Sequence, residues 1–355
     1  MQALNESLIE IDGSYGEGGG QILRTSLALS AIFKKPVAIH HIRSKRNKPG
    51  LRPQHLKGVE ALAQITGAKV EGCRIGSREV TFLPQEICPG DYEFEVGNGK
   101  RSAGSVTLLL QALLPVLCLA KHPSHVNLMG GTHVAWSPPF HYVSEILFPA
   151  LSAMGVCSEA KIERWGWYPT GGGVVRVGIQ PHSRLIPVKW LDRGTLKRVR
   201  GLSAIANLPR HVAERQRDYA VKQLRGQMDV DAEITLLEDV PAQGIGAFFF
   251  LIAESEKMVA GFSSLGERGK RAEEVAKEAV DALKDYIDSE ACIDSHLADQ
   301  LLVFMALAGG ESSFTTHRVT DHLVTNLWVI QKFVDLRVSL SGEVGQRGRV
   351  DICHA

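Results

Sequence analysis

An approximate internal repeat constrains this chain more than any single motif. The window EGGGQILRTSLALSAIFKK at 17–35 has the length and layout of AGSVTLLLQALLPVLCLAK at 103–121, small residues running into an apolar helix in both. ALAQITG at 61–67 is matched by PALSAMG at 149–155, so the two pairs are offset by 86 and 88 residues. A period of this size marks one supersecondary unit used more than once, each copy burying its apolar face against the next. Every unit reads strand, helix, strand, helix, then strands. A weaker third copy begins near His296, with HLADQLLVFMALAG and LVTNLWVIQKFV as helices and with strands at Leu336 to Leu340 and Arg349 to Ile352.

Between copies two and three the character changes. LIPVKWL opens a segment in which RHVAERQRDYAVKQLRG is charged and helical, and Ala232 to Leu237 and Ala247 to Ala253 alternate like strands. RAEEVAKEAVDALKDYI then puts Val275, Ala279, Ala282, Leu283 and Tyr286 on one helical face. The expected fold class is α/β (α+β). A large domain carries repeats one and two over 1–184 and the third over 291–355, with a smaller inserted α/β domain over 185–290. A chain of 355 residues, 44% apolar, is long enough for that arrangement.

Formal net charge is +1, so no overall field gathers polyanions and a nucleic-acid site must be local. The local candidate is HHIRSKRNKPGLRPQHLK at 40–57, with Arg43, Lys45, Arg46, Lys48, Arg52 and Lys57 and no acidic residue. A solvated basic run fits this composition. So do arginines meeting phosphate oxygens, which give affinity without base preference. The lack of a long aromatic–basic stripe favours a bound terminus over an extended strand. Six widely spaced cysteines contain no CxxC, so neither a structural zinc site nor a disulfide framework is expected. The apolar run near Leu108 to Ala120 holds Gln111 and Pro115 and is short of a membrane span. MQALNESLIEIDG lacks the basic start and apolar run of a signal peptide. A soluble cytoplasmic protein without membrane contact is the expectation.

The stretches that could do chemistry lie near opposite ends. DGSYGEGGGQILR at 12–24 must form a tight loop, yet it lacks the GK[ST] of a Walker motif and misses GxGxxG. A structural turn and a phosphate cradle both fit. Three residues favour the cradle: Glu17, suited to a divalent cation, and Gln21 and Arg24 behind it, where helix-start amides and a guanidinium suit anions. TTHRVTDHLVTN at 315–326 sets His317 and His322 before an apolar run, with Asp321 and Thr325 beside the second histidine. A structural histidine satisfies that pattern. A nucleophile does too, since neutral imidazole attacks phosphorus near pH 7. Asp299 and Gln300 near His296, and Gln111 inside LLLQALLP, either satisfy local hydrogen bonds or face a ligand. WGWYPTGGG at 165–173 either packs as core and rim or stacks a base, and MGGTHVAWSPP at 129–139, with its small residues and prolines, suits the wall of a ligand site.

Together these stretches resemble the RNA 3′-terminal phosphate cyclase family. DGSYGEGGGQILR, IRSKRNKPGLRPQHLKGVEAL, AGSVTLLLQALLP, MGGTHVAWSPP, YPTGGG, SHLADQLL and DHLVTNLWV occur in family order over nearly the whole chain. The resemblance implies a large domain of three two-helix, four-strand repeats with a small inserted domain. It implies ATP-dependent conversion of an RNA 3′-phosphate to a 2′,3′-cyclic phosphodiester, with release of AMP and pyrophosphate. ATP and a divalent cation, magnesium or manganese, are the implied cofactors. RNA 3′-phosphate ends are the implied partners, and assembly is left open, a homodimer being one option. By the same resemblance His322 takes up AMP, and Glu17, Arg24, Arg43 and Arg46 are its catalytic partners, with Glu17 on the metal. Gln21, Gln54 and His55 lie with the phosphates, and Gln111, Pro138, His296, Leu297, Ala298, Asp299 and Gln300 bind ATP. His296 stands where other members have tyrosine, which bears on adenine affinity. Three rivals share parts of this pattern: a noncatalytic ribosome-biogenesis branch that lacks the histidine, enolpyruvyl-type transferases built from a comparable repeated unit, and a plain RNA-end-binding module.

Overall fold

Three four-stranded sheets with one strand layout make up most of the molecule, seen in a computed structural model that describes residues 8–97, 103–182, 184–228 and 230–354. The first repeat runs β1 (Ile9–Asp12), α1 (Gly20–Phe33), β2 (Val37–His40), α2 (Pro53–Thr66), β3 (Lys69–Glu71) and β4 (Val80–Leu83). Its sheet order is β1-β2-β4-β3, with β1 parallel to β2 and the other pairs antiparallel. Pro53 opens α2 where a missing N–H is harmless, and Gly67, at φ 60°, closes it in the left-handed conformation.

The second repeat runs β5 (Asp91–Glu95), α3 (Val106–Leu117), β6 (Ser124–Gly130), α4 (Phe140–Tyr142), a π turn (Val143–Leu147), α5 (Phe148–Ala153), β7 (Ser158–Arg164) and β8 (Gly173–Ile179). Its order, β5-β6-β8-β7 with β5 parallel to β6, copies the first. The windows matched in the sequence fall on corresponding elements, α1 with α3 and the end of α2 with α5.

LIPVKWL, read from sequence as opening the insertion, instead carries β9 (Lys189–Trp190). The inserted unit follows: β10 (Leu196–Ala206), α6 (His211–Met228), β11 (Ala232–Leu237), β12 (Gly246–Ser255), β13 (Val259–Leu265) and α7 (Ala272–Ser289), in sheet order β11-β10-β12-β13. The third repeat then completes itself with α8 (Ser295–Leu307), β14 (Glu311–Thr316), α9 (Asp321–Gln331), β15 (Leu336–Ser341) and β16 (Gly348–His354). Its order is β15-β16-β14-β9, and β9 pairs in parallel with β14. The insertion therefore sits between the first strand and first helix of the third repeat.

Helices of all three repeats pack on one another, α1 against α2, α3 and α9, and α8 against α9 and α3. β12, GAFFFLIAES, is buried on both faces from residue 247 to 253. Phe248, Phe250 and Ile252 join the large core, while Phe249, Leu251 and Ala253 pack with Leu224, Val275 and Leu283 of α6 and α7. Side chains of a strand point alternately to its two faces, so one strand serves both cores. Among the described residues no helix is long and apolar enough to cross a membrane.

Candidate active site

The glycine loop of the first repeat closes onto α9 of the third. Tyr15 stacks on Trp328 with ring centroids 4.0 Å apart and planes 11° from parallel. Gly16, at φ 52°, lies so close to Thr325 that a Cβ there would stand 2.4 Å from Thr325 Oγ1, which restricts the position to glycine. The next residue, Glu17, then faces His322: its Oε2 lies 2.6 Å from His322 Nδ1. That approach is off the line a hydrogen bond requires, so Glu17 Oε2 is buried without a hydrogen-bond partner. The other oxygen, Oε1, is in close contact with Arg46 Nη2.

Beneath His322 a buried polar network ties three helices. Thr25 on α1 donates to Asn326 Oδ1 (2.7 Å), and Asn326 Nδ2 donates to the Asp299 carbonyl (2.9 Å). Thr320 caps α9, accepting from Leu323 N (2.9 Å), and its hydroxyl donates to Asp299 Oδ1 at 2.5 Å. These bonds fix α9 in rotation as well as in place. Burial pushes the Asp299 carboxyl up to about 6, against the opposing pull of Thr320 and His322. Burial lowers the pKa of His322 from its ordinary value, Asp299 opposes the shift, and Arg24 and Arg46 add to it. With 47% of its side chain exposed, His322 is thus a neutral, reachable imidazole near pH 7.

Arginines gather behind the loop. Burial lowers Arg24 on α1 to about 10, still charged at neutral pH. It lies next to His55 on α2, and the absence of a side chain at Gly20 makes room for both, since a Cβ there would stand 2.5 Å from His55 Nε2. His55 is held down at about 3 by burial and by Arg24, Arg43 and Arg52 around it, so it stays neutral. Its Nδ1 accepts from Arg52 N at 3.3 Å, which places the ring proton on Nε2. Arg43 donates to the carbonyls of Lys48 (2.8 Å) and Gly50 (3.1 Å) and so shapes its own loop. Arg24, Gln54 and His55 share a narrow cleft with Ser105 and Leu108 at the start of α3. Gln21 sits partly buried in the first turn of α1.

The remaining candidates lie on α3, α8 and the loop before α4. Gln111 Nε2 donates to Gln300 Oε1 at 2.7 Å, and Gln300 Nε2 donates to the His296 carbonyl at 2.9 Å. His296 is exposed in the first turn of α8, edge-on to Tyr142 at 6.1 Å. Leu297 and Ala298, by contrast, show no surface and belong to the core. Thr107 Oγ1 donates to the Pro138 carbonyl at 2.6 Å, bringing that loop against α3.

Sequence reasoning placed Arg52 only within the basic window, did not foresee the Thr25–Asn326 tie, and missed a second histidine centre. His133 and His141 are joined Nε2 to Nδ1 at 2.9 Å, and Thr132 Oγ1 lies 2.8 Å from His133 Nδ1. Trp165 stacks on His133 at 4.1 Å and Phe248 of the inserted sheet meets it edge-on at 4.5 Å. Burial drives His133 well below its ordinary value, with His141 adding to the shift, and holds His141 at about 4. The two tryptophans of WGWYP are core residues, while Tyr168 is exposed.

Frame and site together define a class: an α/β enzyme of tandem repeated units, with a histidine–carboxylate pair set among arginines. A family profile described as "RTC: RNA 3'-terminal phosphate cyclase" matches residues 15–340. The RNA 3'-terminal phosphate cyclase of Pyrococcus furiosus is 43% identical over 353 residues, covering 97% of this chain and 98% of its own. That of Methylococcus capsulatus is 44% identical over 363 residues, covering 98% and 99%. The chain belongs to the RNA 3′-terminal phosphate cyclase family. Among solved structures, the enolpyruvyl transferase NikO from Streptomyces tendae aligns with 97% of this chain and 48% of its own at 10% identity, with a TM-score of only 0.38.

Proposed function

We propose that the protein uses ATP to convert an RNA 3′-terminal phosphate into a 2′,3′-cyclic phosphodiester, with His322 as the nucleophile. The observation that carries this reading is the Glu17–His322 contact, made between the two ends of the chain. Even without a hydrogen bond, the negative charge of a carboxylate 2.6 Å from Nδ1 favours the proton on that nitrogen and leaves the Nε2 lone pair free to attack. In the first step that nitrogen attacks the α-phosphorus of ATP, a phosphorus–nitrogen bond forms and the bond to pyrophosphate breaks. Arg24 and Arg46 sit where they would offset the developing charge. The RNA 3′-phosphate oxygen next displaces histidine from the AMP phosphorus, giving an RNA-(3′)pp(5′)A end. Finally the neighbouring 2′-hydroxyl attacks the RNA phosphorus, loses its proton and expels AMP. Holding these two vicinal groups together supplies much of that last step.

Gln111, Gln300, Pro138 and His296 converge from α3, α8 and the intervening loop, an arrangement suited to a nucleoside. Glu17, whose buried Oε2 lacks a hydrogen-bond partner, is the one protein ligand that would hold a divalent cation, since no cluster of three ligating side chains occurs among the described residues; bound there with the phosphates, the ion would neutralise their charge. The presence of His322 beside Glu17 weighs against the noncatalytic branch. The test is incubation with α-labelled ATP and magnesium, followed by mass spectrometry. An acid-labile, alkali-stable AMP adduct on His322, absent from His322→Ala, is expected; an adduct elsewhere overturns the assignment.

A further inference from the structure

Four large aromatic residues occupy the two loops beside Pro138, and the structure treats them in opposite ways. Trp165 and Trp167 are 4% and 3% exposed, whereas Trp136 is 98% and Tyr168 79% exposed. Trp136 also has φ 62°, a left-handed backbone that bulky residues rarely adopt. Local bonds impose it: Ser137 Oγ donates to the Val134 carbonyl (2.9 Å), Phe140 N to the Thr132 carbonyl (2.9 Å), and Thr107 Oγ1 to the Pro138 carbonyl (2.6 Å). None of these involves the indole, so the loop holds the ring out in solvent. Tyr168 rises from the neighbouring loop, one residue after a buried tryptophan. The bases of the two loops are joined, Thr132 N and His133 N both donating to the Gly166 carbonyl at 3.0 and 3.1 Å. Both rings therefore stand on a footing fixed by the buried His133–Trp165 stack.

The first of these loops is tied to α3, which also lines the arginine cleft. The Pro138 carbonyl is bound by Thr107 in the first turn of α3, and Ser105 and Leu108 of the same turn line the cleft that holds Arg24, Gln54 and His55. Trp136 is flanked by Ala135 and Ser137, and Tyr168 is followed by Pro169, Thr170 and three glycines. Rings this exposed leave their faces open to another flat ring. We propose that Trp136 and Tyr168 form a stacking platform for bases upstream of the RNA 3′ end, the terminal phosphate lying at His322. This rests on RNA being the acceptor, as argued above. Stacking on an aromatic face needs no particular base and suits unpaired ends, so the platform would select single-stranded termini without reading sequence.

The test compares wild type with Trp136→Ala, Tyr168→Ala and Trp136→Phe. It uses a fluorescein-labelled single-stranded RNA decamer 3′-phosphate and, as a minimal acceptor, a nucleoside 3′-phosphate. Each alanine variant should raise the decamer Kd by anisotropy, and its KM for cyclisation, about ten-fold, with kcat retained. Trp136→Phe should recover most of that loss. Self-adenylylation without RNA, and turnover of the nucleoside 3′-phosphate, should match wild type and so report that the fold is intact. Unchanged decamer binding in both alanine variants overturns the platform. A parallel fall in self-adenylylation also overturns it, because the rings would then serve ATP or the fold. If the wild-type protein bound RNA but did not cyclise it, the functional reading would fail while the binding comparison still decided the platform.

Discussion

Two histidine centres lie within this fold, and their surroundings differ in almost every respect. His322 is half exposed, stands at the first turn of a capped helix, and faces a carboxylate oxygen that has no hydrogen-bond partner. His133 is 1% exposed, its two ring nitrogens are occupied by Thr132 and His141, and aromatic rings cover it. Burial lowers the pKa of both, so a depressed value by itself does not mark a reactive imidazole. What separates them is vacancy: one site leaves a lone pair reachable and a neighbouring acceptor unsatisfied, the other leaves nothing free.

The sharpest way to break this comparison is substitution at both. His322→Ala should abolish covalent AMP labelling, a loss of at least about 10³-fold measured by labelled ATP. His133→Ala should keep labelling per folded molecule, and loss of labelling in a folded His133→Ala protein would erase the distinction. Glu17→Gln keeps the size of the side chain but removes its charge; the labelling rate should fall roughly 10²-fold in single-turnover assays.

Stability gives the next contrast. His133→Ala should lower unfolding free energy by about 2–4 kcal/mol in denaturant titration, through a cavity and an orphaned His141 nitrogen. His322→Ala should change it by no more than about 0.5 kcal/mol, as an exposed side chain. Acid should divide the two centres further. His133 and His141 remain neutral in the folded protein well below 6.5, while the unfolded chain binds protons there. Their contribution to stability is therefore complete above 6.5 and is lost as pH falls toward about 4, the value for His141. Labelling, by contrast, should have its acid midpoint below 6.5, because the His322 pKa is lowered. A labelling profile whose acid limb lies above 6.5 would contradict the structure. The smallest effect is expected at the rim of the nucleoside side: His296→Tyr should tighten ATP binding about three-fold by calorimetry, the larger ring stacking better.

How much of this was legible in the sequence depended on how local each signal was. The repeat could be read because α1 and α3 both begin with small residues and then turn apolar over similar lengths. Glu17 and His322 stood out because glycines and polar residues set them apart from the runs around them. β9 could not be read, since two residues carry no pattern and their partner strand lies beyond the whole insertion. The Thr25–Asn326 bond and the Tyr15–Trp328 stack were equally silent, being agreements between residues some three hundred positions apart. The aromatic loops gave a divided signal: composition suggested either core or ligand wall, and the structure puts Trp165 and Trp167 in the core while leaving Trp136 and Tyr168 exposed.

The double-sided β12 has a practical consequence. Cutting the insertion out to obtain a minimal catalytic fragment would uncover the seats of Phe248, Phe250 and Ile252, and with them the support under His133. The shortened protein would present a wide greasy scar and should clump, unless new polar side chains were grafted across it. The excursion between β9 and α8 is thus a keystone, and shortening it calls for rebuilding the wall it leans on.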